Sequence, residues 1–204
     1  MRAVMLEVPL ALLEERRRLG LDRWDEMWKG ELHMVPPPHG DHGRLLVGLA
    51  AFFRLHWEAL GLGRTYLETG VKRPGTGEDP ALSRPTDYRV PDLSFLLPER
   101  YGRFVDGWIV GGPDAVLEVV SPGDESREKL PFYADLDVRE VIFLDRLTRT
   151  VEVLRASQAG WAQVTAGADG WVRSDVLRTE WRTEGATLRV RRWDEPAREM
   201  PIEV

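Results

Sequence analysis

Three carboxylates fall in or beside stretches whose composition predicts β-strands: Glu31, Asp92 and Glu118. Glu118 lies in the apolar run AVLEVV, where burying a carboxylate costs free energy unless the group has a partner. Asp92 follows Pro91, which cannot donate to a β-ladder and therefore suits a strand edge or a bulge. Clustered carboxylates fit a hard divalent cation with oxygen ligands, and the sequence therefore predicts a site for Mg²⁺ or Mn²⁺.

A lysine stands close behind the last of these acids. Lys129 is one of only three lysines among 28 basic residues, so it stands out at a candidate site. Beside a bound cation, a lysine can orient a water or stabilise negative charge that develops on phosphate. The structural alternative is that Glu118 sits on a half-exposed sheet or belongs to an ion pair. The combination of Asp92, Glu118 and Lys129 favours a functional site.

Other polar residues could support this site. Ser121 is expected mainly to shape a Ser-Pro-Gly turn and secondarily to bond the site. His42 could share a metal with His39 three residues earlier, although capping a helix or contacting a neighbour is the preferred interpretation. Glu68 is expected to be a partly buried strand acid near the site, and Tyr133 is expected to be a core residue.

The elements that must position these side chains follow from hydrophobic periodicity. Between His39 and Asp145 the pattern predicts the order helix, strand, strand, strand, helix, strand, which a mixed sheet with helices on its faces accounts for. A broken helical segment covers residues 9 to 28, including a short turn that holds Trp24, Met27 and Trp28. After Asp145, short strands separated by glycines predict an antiparallel meander.

Length and composition restrict the class of protein. The 204 residues suit a single domain, divided into a helical lead-in (1–30), a core (about 31–145) and a C-terminal β meander (146–204). No cysteine is present, which excludes disulfides and thiolate metal sites. The net charge of −6 argues against a broad grip on nucleic acid. The sequence shows no signal peptide or membrane span, so a soluble, cytoplasmic protein is expected.

In combination, these pieces resemble the Uma-type putative restriction endonuclease family, a branch of the PD-(D/E)XK nuclease superfamily. The resemblance covers roughly residues 20 to 155 and rests on the pieces Gly30-Glu31-Leu32, Pro36-Pro37-Pro38, His42-Gly43, Glu68-Thr69-Gly70, Pro91-Asp92, Glu118-Val-Val-Ser121-Pro, Lys129 and Tyr133, and Asp145. It implies a restriction-endonuclease-like α/β fold with an α-β-β-β-α-β core, followed here by the antiparallel β extension.

The resemblance also implies roles for individual residues. Asp92 and Glu118 would be metal ligands, with Glu31 as an additional acid. The superfamily's Glu-x-Lys pattern places a lysine two residues after the glutamate, where this chain has Val120. A helix-borne lysine would take its place, which here is Lys129. The implied activity is Mg²⁺-dependent (or Mn²⁺-dependent) hydrolysis of phosphodiester bonds in DNA.

Two other functions remain open from the sequence. The acidic net charge and the missing Glu-x-Lys are compatible with a catalytically silent protein that binds DNA or a protein partner on the same fold. A two-carboxylate hydrolase of another type, such as a glycosidase, ranks last because it requires a defined separation of two acids. Nucleases that cut two strands often act as dimers, so a homodimer is the expected assembly.

Overall fold

The computed structural model describes residues 3–5, 9–79 and 84–203. Within these ranges the α-helices are α1 (Leu10–Arg18), α2 (Gly40–His56) and α3 (Leu130–Asp135), and 3₁₀ turns cover Glu58–Leu60, Pro98–Arg103 and Ser126–Lys129. The strands are β1 (Ala3–Met5), β2 (Glu26–Trp28), β3 (Glu31–Met34), β4 (Arg64–Leu67), β5 (Val71–Lys72), β6 (Glu78–Asp79), β7 (Arg84–Pro85), β8 (Tyr88–Arg89), β9 (Leu93–Leu96), β10 (Phe104–Val105), β11 (Trp108–Val110), β12 (Ala115–Val120), β13 (Glu140–Asp145), β14 (Val151–Ser157), β15 (Gly160–Gln163), β16 (Val172–Ser174), β17 (Thr179–Glu184), β18 (Thr187–Arg192) and β19 (Glu195–Ile202).

The central element is a six-stranded mixed sheet with the order β15-β14-β13-β12-β9-β4. Strands β12 and β13 run parallel along their whole length, and the other neighbours are antiparallel. Helix α2, the strands β4, β9 and β12, helix α3 and strand β13 follow one another in the predicted core order. The α/β fold class is thus confirmed, and the six-stranded sheet also takes in β14 and β15, the first two strands of the predicted meander.

The two faces of this sheet bury different helices. Successive side chains of a strand point to opposite faces. Leu117 and its alternate neighbours pack with the apolar stripe of α2, including Leu49 and Phe53. Val116 packs on the other side with Phe132 and Tyr133 of α3. Glu118 has the same parity as Val116 and therefore points toward α3.

A second sheet of seven strands lies beside the first, with the order β1-β3-β2-β8-β5-β11-β10. Strands β2 and β3 form a hairpin closed by Lys29 and Gly30, whose φ angles of 51° and 92° match the two left-handed residues of a tight hairpin turn. The helical turn predicted for Trp24 to Trp28 is therefore wrong, because Glu26–Trp28 pairs with β3 as a strand. Part of the lead-in (residues 1, 2 and 6–8) lies outside the described residues.

The chain passes between the two sheets at two breaks. The segment 64–73, whose alternating pattern predicts a single strand, is divided into β4 and β5 at Glu68, which has a φ of 44°. The segment 87–97, whose apolar residues also predict a single strand, is divided into β8 and β9 around Pro91 and Asp92. The Glu68 N–H donates to the Asp92 carbonyl at 3.0 Å, so the two breaks lie side by side.

The C-terminal strands β16 to β19 form a four-stranded antiparallel sheet. Trp181, Val190 and Ile202 from this sheet pack into the same core cluster as α2. Glu140 at the start of β13 is fully buried and accepts hydrogen bonds from the Ser174 hydroxyl (2.5 Å) and the Val176 N–H (3.2 Å). The extension is therefore packed against the core. None of the described helices is long and apolar enough to cross a membrane.

Candidate active site

A cavity of about 270 Å³ opens where the two sheets meet. Asp92, Glu118 and Lys129 line it together. Its walls also include Glu26, His42, Ser121, Trp24, Val90, the segment 35–39, Asp124, Ser126, Val119 and Arg146. The structure therefore brings together the two acids and the lysine that the sequence selected.

Asp92 is fixed from two directions. Its Oδ1 lies 2.9 Å from His42 Nε2, at the start of α2, and its Oδ2 accepts a hydrogen bond from the Val119 N–H at 2.6 Å. The carboxylate follows the break at Pro91, where the strand has ended and the side chain is free to face the cavity. These bonds orient Asp92 toward the end of β12 that carries Glu118.

Glu118 is buried, with 2% of its surface exposed. Its Oε1 accepts a hydrogen bond from the Tyr133 hydroxyl at 2.5 Å, and the Lys129 ammonium lies 3.1 Å and 3.3 Å from its two oxygens. Burial raises the pKa of Glu118 to about 8, against the opposing effect of the Lys129 charge, because desolvation disfavours the ionised carboxylate. The negative charges of Asp92 and Glu26 raise this pKa further.

Lys129 reaches Glu118 from the last residue of the 3₁₀ turn before α3. Its ammonium also lies 2.8 Å from Glu26 Oε1. Burial opposes the charged form of Lys129, but the Glu118 and Glu26 carboxylates outweigh burial and raise the pKa of Lys129. The lysine therefore remains cationic at neutral pH.

The short link between Ser121 and Lys129 is a compact turn. The Asp124 N–H donates to the Ser121 carbonyl at 3.1 Å, and Gly123 has a φ of 77°, as the third position of a type II turn requires. The Asp124 carboxylate accepts hydrogen bonds from the Ser121 and Ser126 N–H groups. This geometry allows the few residues of the link to return Lys129 to the strand end.

Glu26 is the acid that the sequence did not identify. It is 2% exposed and is held by hydrogen bonds from the Trp28 indole (2.7 Å) and the Val90 N–H (2.8 Å). Glu31, which was predicted to assist the metal, is exposed on β3 opposite Trp28 and does not line the cavity. The hairpin brings the acid of β2, rather than that of β3, to Lys129. The Lys29-Gly30 dipeptide is the sequence signal for that hairpin.

Of the residues predicted to support the site, Ser121 lines the cavity and Glu68 does not. The Ser121 hydroxyl accepts a hydrogen bond from Arg146 Nε at 3.0 Å, and Ser121 also begins the turn, as its preferred interpretation stated. Glu68 lies 2.9 Å from Arg23 and does not itself line the cavity.

His42 contacts Asp92, while His39 caps α2 by accepting a hydrogen bond from the Asp41 N–H at 3.3 Å. Burial lowers the pKa of His42, but the hydrogen bond to Asp92 and the charges of Asp92, Glu68 and Glu118 prevail, so the net shift is upward. The preferred interpretation of His42 as a residue that contacts a neighbour matches this geometry.

Tyr133 and Arg89 complete the buried polar cluster. Tyr133 was expected to be a core residue, and the sequence analysis did not single out Arg89. Arg89 is 4% exposed and lies between the rings of Trp28 and Phe132, each 4.3 Å from its guanidinium carbon. Such placement over aromatic faces stabilises a buried cation. Burial lowers the pKa of Arg89, with the charge of Glu26 opposing the shift.

The donor set of the cavity fits a hard cation. Asp92 and Glu118 present carboxylate oxygens to the same space, and the chain has no cysteine that could supply a thiolate ligand. Within the described ranges, no three His, Cys, Asp or Glu side chains converge as a protein-only metal cage. Mg²⁺ is commonly held by one or two carboxylates together with water and substrate phosphates, and the pair present here matches that mode.

Comparison with known proteins agrees with this architecture. The chain is similar to the solved structure of a putative nuclease belonging to DUF820 from Anabaena variabilis, with a TM-score of 0.59 and 19% identity over 81% of this chain and 89% of that chain. At this identity the likeness shows the fold. A search of curated proteins finds no match. The family model Uma2, described as a putative restriction endonuclease, matches residues 17–190. Because the match spans most of the chain, this protein belongs to the Uma2 family.

Proposed function

We propose that this protein is a divalent-metal-dependent nuclease that hydrolyses phosphodiester bonds of DNA. The observation that carries the proposal is the convergence of Asp92, Glu118 and Lys129 in one cavity, from a strand break, a strand and a helix start. The family description and the nuclease-like fold support the same reaction class.

Asp92 and Glu118 are the residues that would hold Mg²⁺ or Mn²⁺. A bound cation supplies charge for a phosphate oxygen and lowers the pKa of its bound water. Glu26 acts indirectly, because its carboxylate contacts the Lys129 ammonium and fixes where that charge lies. Hydrogen bonds from Val119 and Tyr133 hold the two ligand carboxylates in place.

Lys129 supplies charge and does not accept a proton. Its raised pKa keeps the ammonium protonated, so Lys129 cannot take a proton from the attacking water. A cation fixed in a buried site stabilises negative charge developing on phosphate more strongly than one in water does. We therefore assign Lys129 to orientation of the water and stabilisation of the transition state.

The test is cleavage of a labelled DNA with Mg²⁺ or Mn²⁺ by the variants Asp92→Asn, Glu118→Gln and Lys129→Met. Each is expected to lose about 100-fold or more in rate, in the range observed when one preorganised electrostatic group is removed. Circular dichroism confirms that each variant is folded. Metal-dependent cleavage at the wild-type rate by both Asp92→Asn and Glu118→Gln would refute the proposal.

Glu26 and Glu31 provide a matched pair within this experiment. Both are glutamates of one hairpin, but Glu26 is buried against Lys129 and Glu31 is exposed. Glu26→Gln is expected to reduce the rate, and Glu31→Gln is expected to retain it. The reverse result would return the role of additional acid to Glu31.

One observation favours a second candidate, a catalytically silent binding protein. The carboxylates of Asp92 and Glu118 are already satisfied by protein donors: His42 and Val119 for the first, Lys129 and Tyr133 for the second. Titration of Mn²⁺ followed by thermal unfolding separates the two candidates. A rise in melting temperature that Glu118→Gln abolishes supports the nuclease, and no shift at millimolar metal supports the silent protein.

Nucleic acid is the partner that this function requires, and a homodimer remains the assembly expected from the sequence. Light scattering coupled to gel filtration measures the mass in solution directly. A mass of one chain, 23.3 kDa, would contradict the dimer.

A further inference from the structure

The reacting groups of the cavity lie deep below the surface. Glu118 and Glu26 are each 2% exposed, and Lys129 is 8% exposed. The segment Val35 to Pro38 forms one wall of the cavity, and the turn that begins at Ser121 forms another. The volume of about 270 Å³ lies just below the range of small-ligand sites, which measure roughly 300–1,000 Å³. A phosphodiester must therefore enter a narrow recess to reach the acids.

The charges around the cavity do not suit a duplex. Proteins that grip duplex DNA typically neutralise about six to ten phosphates with lysine and arginine. Here Arg146 lines the cavity and lies 3.6 Å from Asp41, and Arg23 beside Trp24 lies 2.9 Å from Glu68. The net charge of −6 also opposes attraction of a long phosphate backbone.

The cavity wall does offer a surface for a base. Trp24 lines the cavity, and in the described part of the chain its indole N–H is buried without a hydrogen-bond partner. The Arg23 guanidinium carbon lies 5.5 Å from the centre of the Trp24 ring. Aromatic rings beside a cationic group are how proteins bind unpaired bases, because every base has a π-face to stack. A base can reach such a ring only when it is out of the duplex.

We infer that this site takes single-stranded nucleic acid, as a free strand, a flap or a frayed end, rather than an uninterrupted duplex. The inference rests on the proposed function and names its substrate class. One unpaired nucleotide enters the recess, its base against Trp24 and its phosphodiester toward Asp92 and Glu118. Arg146 lines the cavity and Arg23 lies beside Trp24, and because each is paired with a carboxylate, at most two phosphate contacts accompany the strand.

The direct test compares one DNA sequence in three forms with Mn²⁺: single strand, blunt duplex and duplex with a single-stranded flap. Cleavage of the single strand and of the flap is expected to be at least about tenfold faster than cleavage of the duplex, since bases unstack at little cost only where they are unpaired. Equal or faster cleavage of the blunt duplex would overturn the inference.

A small diester, bis(p-nitrophenyl) phosphate, distinguishes failure of this inference from failure of the proposed function. Hydrolysis of the diester that Glu118→Gln abolishes upholds the proposed function, whichever DNA form is preferred. If neither the diester nor any DNA is cleaved, the nuclease proposal fails. A separate binding measurement then tests whether the protein prefers single-stranded or duplex DNA.

Binding is measured with Glu118→Gln by fluorescence anisotropy of the same single strand and duplex at several salt concentrations. Two phosphate contacts on a single strand predict a slope of log K against log[salt] of about −1.4, whereas six to ten contacts on a duplex give about −5 to −9. Preferred binding of the single strand with the shallow slope supports the inference. Tighter binding of the duplex, or a steep slope, contradicts it.

Trp24→Ala and Trp193→Ala form a matched pair. Both tryptophans are partly buried with an unpartnered indole N–H among the described residues, but Trp193 belongs to the C-terminal part and contacts Arg173. Trp24→Ala is expected to raise the KM for the single strand about fivefold or more, a larger effect than on the diester. Trp193→Ala is expected to leave the KM for the single strand and the KM for the diester unchanged. Equal effects of the two variants on the single strand would contradict the stacking role.

Discussion

Removal of one buried hydroxyl group tests how the candidate metal ligand is tuned. Tyr133 is fully buried, and its hydroxyl donates to Glu118 Oε1 at 2.5 Å. This hydrogen bond lowers the pKa of Glu118, against the larger upward effect of burial. Tyr133→Phe deletes the donor and keeps the ring in its packing against Phe132. The variant is therefore expected to raise the pKa of Glu118 further.

The size of the effect follows from the strength of the lost bond. A hydrogen bond to a charged group contributes about 1.5–3 kcal/mol. Since one pKa unit corresponds to about 1.4 kcal/mol, the pKa of Glu118 is expected to move up from about 8 by roughly 1–2 units. Metal ligands must be deprotonated, so the apparent affinity for Mn²⁺ at pH 7 is expected to fall by about 10- to 100-fold. The lost affinity should return as the pH is raised toward 10.

The assay is the Mn²⁺-induced rise in melting temperature, measured from pH 6 to pH 10. Tyr88→Phe is the matched control, because Tyr88 is equally buried but its hydroxyl contacts Arg84 outside the cavity. The pH midpoint of metal binding is expected to move upward in Tyr133→Phe alone. An unchanged midpoint in Tyr133→Phe would show that this hydroxyl does not tune Glu118.

Three further predictions concern stability. The pKa of Glu118 in the folded protein lies above its ordinary value, so the free energy of unfolding of the metal-free protein is expected to fall by up to about 5 kcal/mol as the pH rises from 4.5 to 8. Urea unfolding of Glu118→Gln should lack this pH-dependent component. Glu140→Ala leaves several buried donors without an acceptor and is expected to lower the free energy of unfolding, measured in urea, by about 2–4 kcal/mol. A decrease below about 1 kcal/mol would contradict the role of Glu140 in joining the sheets. Gly63→Ala places a methyl group 2.0 Å from the Trp57 ring and should strongly destabilise the protein. Gly43→Ala, in open space on α2, should instead stabilise it by about 0.5–1 kcal/mol. A melting temperature that is unchanged in Gly63→Ala would refute the packing argument.

The sequence was sufficient for the elements whose pattern is local. The apolar run around Glu118 is β12, and the leucine and phenylalanine spacing gave α2 to within a few residues, with its last turn tightened into a 3₁₀ helix. Lys129 could be selected because lysine is rare in this chain. These features depend on periodicity and composition, which a single sequence displays directly.

The parts that the sequence did not reveal depend on contacts between distant segments. Glu31 follows a strand pattern, whereas Glu26 falls in the stretch expected to be helical, and only the pairing of β2 with β3 and β8 brings Glu26 against Lys129. The division of two strands at Glu68 and Asp92 likewise arises because each segment pairs with two different sheets. Tyr133 is a core residue by pattern, and its hydroxyl gains a role from the strand it packs on.

Because the candidate site lies where the two sheets meet, its geometry depends on their relative position. Glu118 belongs to the six-stranded sheet, Asp92 lies at the break between the two sheets, and Glu26 belongs to the seven-stranded sheet. The Lys129 ammonium bridges Glu26 and Glu118. A small shear between the sheets would change both distances to Lys129 together, even if every strand kept its own shape. Substitutions in the packing between the sheets, far from the cavity, should therefore alter the proposed catalysis before they measurably alter stability. Ligands that draw the acids together should in turn slow hydrogen exchange along the β2–β3 hairpin.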